Sequence, residues 1–230
     1  MKSVTMAVLA ACGCGVSVGA AAKHPRPKPV SAFEIAEIRV EANATDGDTE
    51  VVIVAKGGDD GFRQFTVRAP DGRYIVSTFS FDPTVKGQRE LLFESPEPPG
   101  DQILAAYPRG IYHFKGQTHE GERFAGTARL SHLLPPAAVI TNPSHESAVP
   151  LAPLIIEWAT LTGVSQILLE LENESADPEQ VLTYNLSPEA TRFEVPANLL
   201  APGASYQLSI GTVAANGNRV FSEIEFETQQ

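Results

Sequence analysis

Apolar residues recur along this chain in short runs roughly ten positions apart, closed off by Gly, Pro, Asn and Asp, a spacing typical of sandwich strands. Alternation of apolar and polar positions predicts strands over 33–42, 50–56, 64–68, 73–79, 90–94, 110–116 and 123–132. Asn43-Ala44-Thr45-Asp46-Gly47-Asp48 reads as the turn between the first two. Pro70-Asp71-Gly72 reads as a hairpin, since glycine accepts the positive φ that such turns need. Prolines at 96, 98 and 99 interrupt the pattern, and 102–106 is expected to form a helical turn before Pro108. Pro108-x-Gly110-x-Tyr112 then leads into a strand whose Tyr112 and Phe114 share one face, with His113 on the other. The first half therefore reads as an all-β sandwich.

Leu134-Pro135-Pro136 marks a boundary. Beyond it, Pro143 and Pro150 break an edge strand, and strands are expected at 154–158, 167–172, 192–196, 206–210 and 220–226. Between the last three lies Leu200-Ala201-Pro202-Gly203-Ala204-Ser205-Tyr206, whose spacing suits a chain turning a corner between two packed sheets. The ring of Tyr206 enters the core there and its hydroxyl bonds back to the upstream backbone, the tyrosine corner of immunoglobulin-like sandwiches. A proline-rich first strand, Trp158 on the second and this corner before the sixth resemble a fibronectin type III domain over about 136–230. The resemblance implies structural roles for Trp158, Leu200, Pro202 and Tyr206, with Tyr112 as an aromatic core position of the first half. No Arg-Gly-Asp tripeptide occurs, so integrin binding of the familiar kind does not carry over. The expected architecture is two tandem immunoglobulin-like β-sandwich domains, 33–134 and 135–230.

Residues 1–22 read as an export signal, with Lys2 before an apolar stretch and Ala20-Ala21-Ala22 as cleavage context. An alternative reading takes Leu9-Ala10-Ala11-Cys12 as a lipobox, with Cys12 acylated. Cys12 and Cys14 are the two cysteines of the chain, so cleavage after Ala22 leaves neither a disulfide nor a thiol nucleophile. Lys-His-Pro-Arg-Pro-Lys-Pro at 23–29 favours an extended polyproline spacer, and 23–32 reads as a basic tether. The expected location is periplasmic or extracellular, with contact to membrane only through an N-terminal lipid. The module resembles those of exported bacterial proteins.

The net charge of −11 is unevenly spread. Residues 33–134 hold 11 Lys+Arg against 16 Asp+Glu, a net of −5; residues 135–230 hold 2 against 12, a net of −10. Such a surface repels nucleic acid and anionic lipid.

Asp46 and Asp48 in one turn, with Asp59 and Asp60 in another, offer hard oxygen ligands for calcium if the two loops meet. The same residues also serve tight turns for conformational reasons alone. His113 and His119 are expected to face each other across a hairpin beside Glu120, short of the three or four ligands that zinc requires; His24, His132 and His145 stand apart. No Gly-x-Ser-x-Gly, His-Glu-x-x-His or Ser-x-x-Lys occurs, and no catalytic residue or cofactor is assigned. Glu170, Glu172 and Glu174 alternate with Leu169, Leu171 and Asn173, which reads as a solvated strand edge or a surface for a basic partner. Asn43, Asn173 and Asn185 open glycosylation sequons that the bacterial-type signal makes coincidental. Together these features imply a non-catalytic binding or scaffold module for an envelope or extracellular protein, with strand addition at 149–154 as one route. The alternatives are a carbohydrate-binding module and a calcium-dependent accessory domain of an enzyme system.

Overall fold

The computed structural model describes residues 29–81, 88–96, 100–151 and 153–230. The export signal, Cys12 and the basic stretch through Lys28 lie outside the described residues.

In the first half, alternating sequence becomes strands with one wet and one dry face. These are β1 (Val30–Ser31), β2 (Ile35–Asn43), β3 (Thr49–Lys56), β4 (Phe62–Arg68), β5 (Tyr74–Phe79), β6 (Glu90–Glu94), β7 (Gly110–Thr118) and β8 (Arg123–Leu130). A short helix, α1 (Gly100–Ala106), follows β6 and buries Ile103. The layers are β2-β3-β6 and β1-β8-β7-β4-β5. Between them lie Ile38, Val40, Val51 and Ile53 from one sheet and Phe65, Val67, Tyr112 and Phe114 from the other. Phe33 precedes β2 instead of belonging to it as expected. Its ring turns inward, 5.5 Å from that of Phe62 and 5.7 Å from that of Phe124.

The second half comprises β9 (Ile140–Asn142), β10 (Ser147–Val149), β11 (Leu154–Trp158), β12 (Gln166–Asn173), β13 (Gln180–Leu186), β14 (Arg192–Val195), β15 (Ser205–Val213) and β16 (Arg219–Thr228). The three-stranded sheet β9-β11-β14 covers β13-β12-β15-β16. The two halves repeat one plan. β2-β3-β6 corresponds to β9-β11-β14, and β5-β4-β7-β8 to β13-β12-β15-β16. A short strand runs parallel to the last strand of each half, β1 on β8 and β10 on β16.

The sheets do not stop at the boundary. β2 pairs with β3 on one side and runs parallel to β16 on the other, with Arg219 opposite Glu41, Val220 opposite Ala42 and Phe221 opposite Asn43. One eight-stranded sheet therefore crosses both sandwiches. Asn218, 1% exposed, locks the crossing. Its Oδ1 accepts from the Val40 N–H at 2.9 Å, and its Nδ2 donates to the carbonyls of Ser131 and Leu133 at 2.8 and 3.0 Å. The Ala44 N–H donates to the Phe221 carbonyl at 2.8 Å, and the Thr212 hydroxyl donates to the Pro136 carbonyl at 2.8 Å. Three segments thus converge here: the linker, β2 of one half and the hairpin that opens β16 of the other.

Two expectations about edges are corrected. β12 is not an edge, because β13 and β15 flank it on either side. Nor is 149–154 a single edge: Val149 ends β10 beside β16, whereas Leu154 opens β11 in the opposite sheet, with the chain crossing between them. Proline at 150 suits that crossing, since it cannot donate to a ladder.

Candidate binding faces

Each half turns its corner at the strand preceding the last, and a tyrosine fixes it. Tyr206, on β15, is 1% exposed, and its hydroxyl accepts from the Ala201 N–H at 2.8 Å. Asn173 Nδ2 donates to the same oxygen at 3.3 Å. Leu200 is buried beneath the turn and Pro202 is exposed on it; Gly203 takes the left-handed conformation at φ 63° that a side chain would resist. Trp158 ends β11 with 3% of its surface exposed. In the first half Tyr112, on β7, is fully buried and donates to the Pro108 carbonyl at 2.9 Å. Burial, chiefly, with a smaller contribution from Asp71, pushes the Tyr112 hydroxyl well above its ordinary value, so it stays a donor. These residues hold the scaffold. The open sheet faces are what it presents.

The outer face of the five-stranded sheet is basic. β4 presents Gln64, Thr66 and Arg68; β5 presents Tyr74, Ser77 and Phe79; β7 presents Ile111, His113, Lys115 and Gln117; β8 presents Arg123, Ala125, Thr127 and Arg129. None of these is a carboxylate. A groove of about 620 Å³ runs over it, lined by Gln64, Thr66, Tyr74, Ser77, Lys115, Gln117 and Arg123 among others. Tyr74 is 66% exposed at its margin, with the Arg68 guanidinium 6.0 Å from its ring centre. A smaller hollow of about 170 Å³ adjoins it beside His113.

The outer face of the eight-stranded sheet has the opposite sign. Glu37 and Glu41 project from β2, Glu50 from β3, Glu90 and Glu94 from β6, Glu170 and Glu172 from β12, and Glu223 and Glu225 from β16. The cations among them are Arg39, Lys56 and Arg219, and Glu41 engages both arginines, at 2.5 Å from Arg39 and 3.2 Å from Arg219. Burial and the neighbouring Arg39 charge push the Arg219 guanidinium below its ordinary value, against the pull of Glu41. At the far side, a hydrogen bond with Glu179 raises the Glu172 carboxyl to about 7, and burial and repulsion from Glu179, Glu174 and Glu170 act in the same direction. A groove of about 270 Å³ lies at the seam between the halves, lined by residues of β2, β3, β12, β15 and β16.

The four aspartates do not gather into one site. Asp46 and Asp48 precede β3 and Asp59 and Asp60 follow it. Eight residues of extended chain, at about 3.3 Å each, separate the two loops. Asp46 instead accepts from the Asp48 N–H at 2.9 Å within its turn, and Asp59 lies 3.5 Å from Arg89. His113 and His119 likewise lie along one strand and its end, six positions and about 20 Å apart, so they do not oppose each other. His113 is exposed on the basic face, and the Nε2 of His119 is buried. Among the described residues, no three His, Cys, Asp or Glu converge on a point suited to a metal ion.

No protein-family model matches the chain, and no curated protein matches it. Among solved structures it is similar to the FN1–FN3 domains of chicken CNTN1, at 12% identity over 88% of this chain and 68% of that one, with a TM-score of 0.35. It is also similar to a two-domain fibronectin type III segment of chicken tenascin, at 11% identity over 86% of this chain and 99% of that one, with a TM-score of 0.28. The strand order and the corner at Tyr206 make the second half a fibronectin type III-like sandwich, and the first half repeats its sheet plan.

Proposed function

We propose that this chain is a non-catalytic binding module that captures an acidic segment of a partner protein on the open face of its five-stranded sheet. The observation that carries this reading is a face of Arg68, Lys115, Arg123 and Arg129 on which β4, β5, β7 and β8 place no carboxylate among the described residues, in a protein of net charge −11. A chain so acidic overall gains nothing in solubility by collecting its cations on one sheet. Such a field attracts anionic groups and speeds their encounter. The groove and the exposed Tyr74 supply the apolar contact that charge alone lacks.

Tyr74 also favours a second reading, an anionic glycan stacked on its ring. Direct binding of a polyglutamate peptide and of a sulfated oligosaccharide to the wild type and to Lys115→Glu/Arg123→Glu separates them. The reading expects the peptide to bind more tightly and the double variant to lose at least about tenfold, one charge-assisted contact. Preference for the oligosaccharide transfers the site to the second reading. Equal binding by wild type and variant contradicts both.

Export rests on the sequence of residues 1–22, and the same reading places the module outside the cytoplasm. Intact mass of the mature protein decides between a free N-terminus at Lys23 and an acylated Cys12.

A further inference from the structure

The groove at the seam has a floor and walls of unusual make-up. In the centre of the sheet Ser209, on β15, lies directly opposite Glu170 of β12 and Glu223 of β16. Its two neighbours thus stand on strands about 10 Å apart. Ser209 is 7% exposed, its hydroxyl has no hydrogen-bond partner, and it lines the groove. A buried hydroxyl left unpaired costs on the order of 1–3 kcal/mol, so this one awaits a polar group from outside.

One row further along, Gly211 faces Phe221 across the β15–β16 ladder. A Cβ on Gly211 would stand 2.6 Å from the Phe221 ring, so the glycine admits the ring, which also lines the groove. Carboxylates from both halves, Glu41 and Glu170 among them, complete the wall.

We propose that this seam groove binds an organic cation that carries a guanidinium group. The carboxylates are dispersed around the groove, and among the described residues no three acidic or imidazole groups converge as a compact metal ion demands. A guanidinium spreads its five N–H donors over several ångströms in a planar fork, reaching Glu170, Glu223 and Ser209 together. It also gains from an aromatic ring beside it, which a hydrated metal ion does not. Because the groove is built by strands of both sandwiches, its occupant adds a tie across the seam. This site is on the sheet opposite the basic face, and it stands or falls independently of the function proposed above.

The test is an amide chemical-shift titration of the mature chain with agmatine, with an N- and C-terminally blocked Gly-Arg-Gly peptide, and with calcium chloride, at matched ionic strength. Saturable shifts centred on Ser209, Gly211 and Glu223 are expected with agmatine, the peptide or both; which of them binds names a small free guanidine or a peptide's arginine side chain as the source. Glu170→Gln should weaken binding about tenfold and Ser209→Ala about threefold; neither should lower the melting temperature, because Glu170 projects from the open face and Ser209→Ala removes a buried hydroxyl that has no hydrogen-bond partner among the described residues. Absence of saturable shifts, affinities unaltered in both variants, or tighter binding of calcium than of either guanidinium compound overturns the proposal.

Discussion

The two halves share a strand order and a corner tyrosine yet are filled by different side chains. The first is packed with phenylalanine: Phe62 meets Phe124 edge-on at 5.4 Å, and Phe65 stacks on Phe93 at 6.0 Å and 6°. The second is mainly aliphatic, with Ile156, Ile167, Leu169, Leu208 and Ile210 fully buried; its aromatic residues are fewer, among them Trp158, Tyr206 stacked on Phe226 at 5.5 Å and 11°, and Tyr184 against Phe193 at 4.6 Å. What they hold in common is therefore not core composition. It is the pairing plan and the hydrogen bond that fixes the chain as it passes from one sheet to the other. The outer surfaces diverge further, one basic and one acidic, and the fused sheet holds both in a fixed relation.

The comparison can be broken first at the seam. Asn218→Ala leaves the buried Val40 N–H without an acceptor and frees two linker carbonyls. A loss of about 2–3 kcal/mol is expected in denaturant unfolding, and one transition should separate into two as the halves uncouple. A single unshifted transition would contradict the clamp.

Next, the two corners should differ in strength. Tyr206→Phe strands the Ala201 N–H and one bond of Asn173, whereas Tyr112→Phe strands only the Pro108 carbonyl. Buried N–H groups tolerate isolation less well than carbonyls, which have two lone pairs. The expected losses are about 2 kcal/mol for the first and about 1 kcal/mol for the second, read from urea midpoints at constant m-value. Equal losses would erase the distinction.

The smallest effect is a pH dependence on the acidic face. Glu172 titrates near 7 in the folded chain against an ordinary 4.5, so between those values the folded state holds a proton that the unfolded state has released. Stability is full below about 4.5 and falls as pH rises towards 7. Because this carboxyl is largely solvated, screening keeps the change within about 1 kcal/mol, or roughly 2–4 °C in melting temperature. Glu179→Gln should flatten the profile over that window, and an unchanged slope would remove Glu179 as its cause.

Much of this scaffold was legible in the sequence. Period-two alternation located most strands, and Pro202, Gly203 and Tyr206 announced the corner because a turn of that kind needs those residue types. β13 was not anticipated, since Gln180, Thr183 and Asn185 dilute its apolar pattern and Val181 faces solvent. The seam was invisible for a different reason. Asn216-Gly217-Asn218 is an ordinary hairpin signal, and nothing in it reveals an acceptor for Val40, which is 178 positions away. The same holds for the two charged faces. Residues 33–134 are acidic in total, yet topology gathers Lys115, Arg123 and Arg129 on one sheet and sends their carboxylates to the other or to the turns. The aspartate loops failed as a joint site because a strand between two turns places them at its opposite ends.

The central claim is that a continuous sheet fixes the two sandwiches, and with them their opposite faces, as one body. Residue-resolved amide hydrogen exchange tests it most directly. The account predicts that the Val40 and Ala44 amides are protected like those of Leu208 and Ile210 inside β15, and that Asn218→Ala exposes both while β15 stays closed. Exchange of Val40 and Ala44 at the rate of an open turn in the wild type would contradict it.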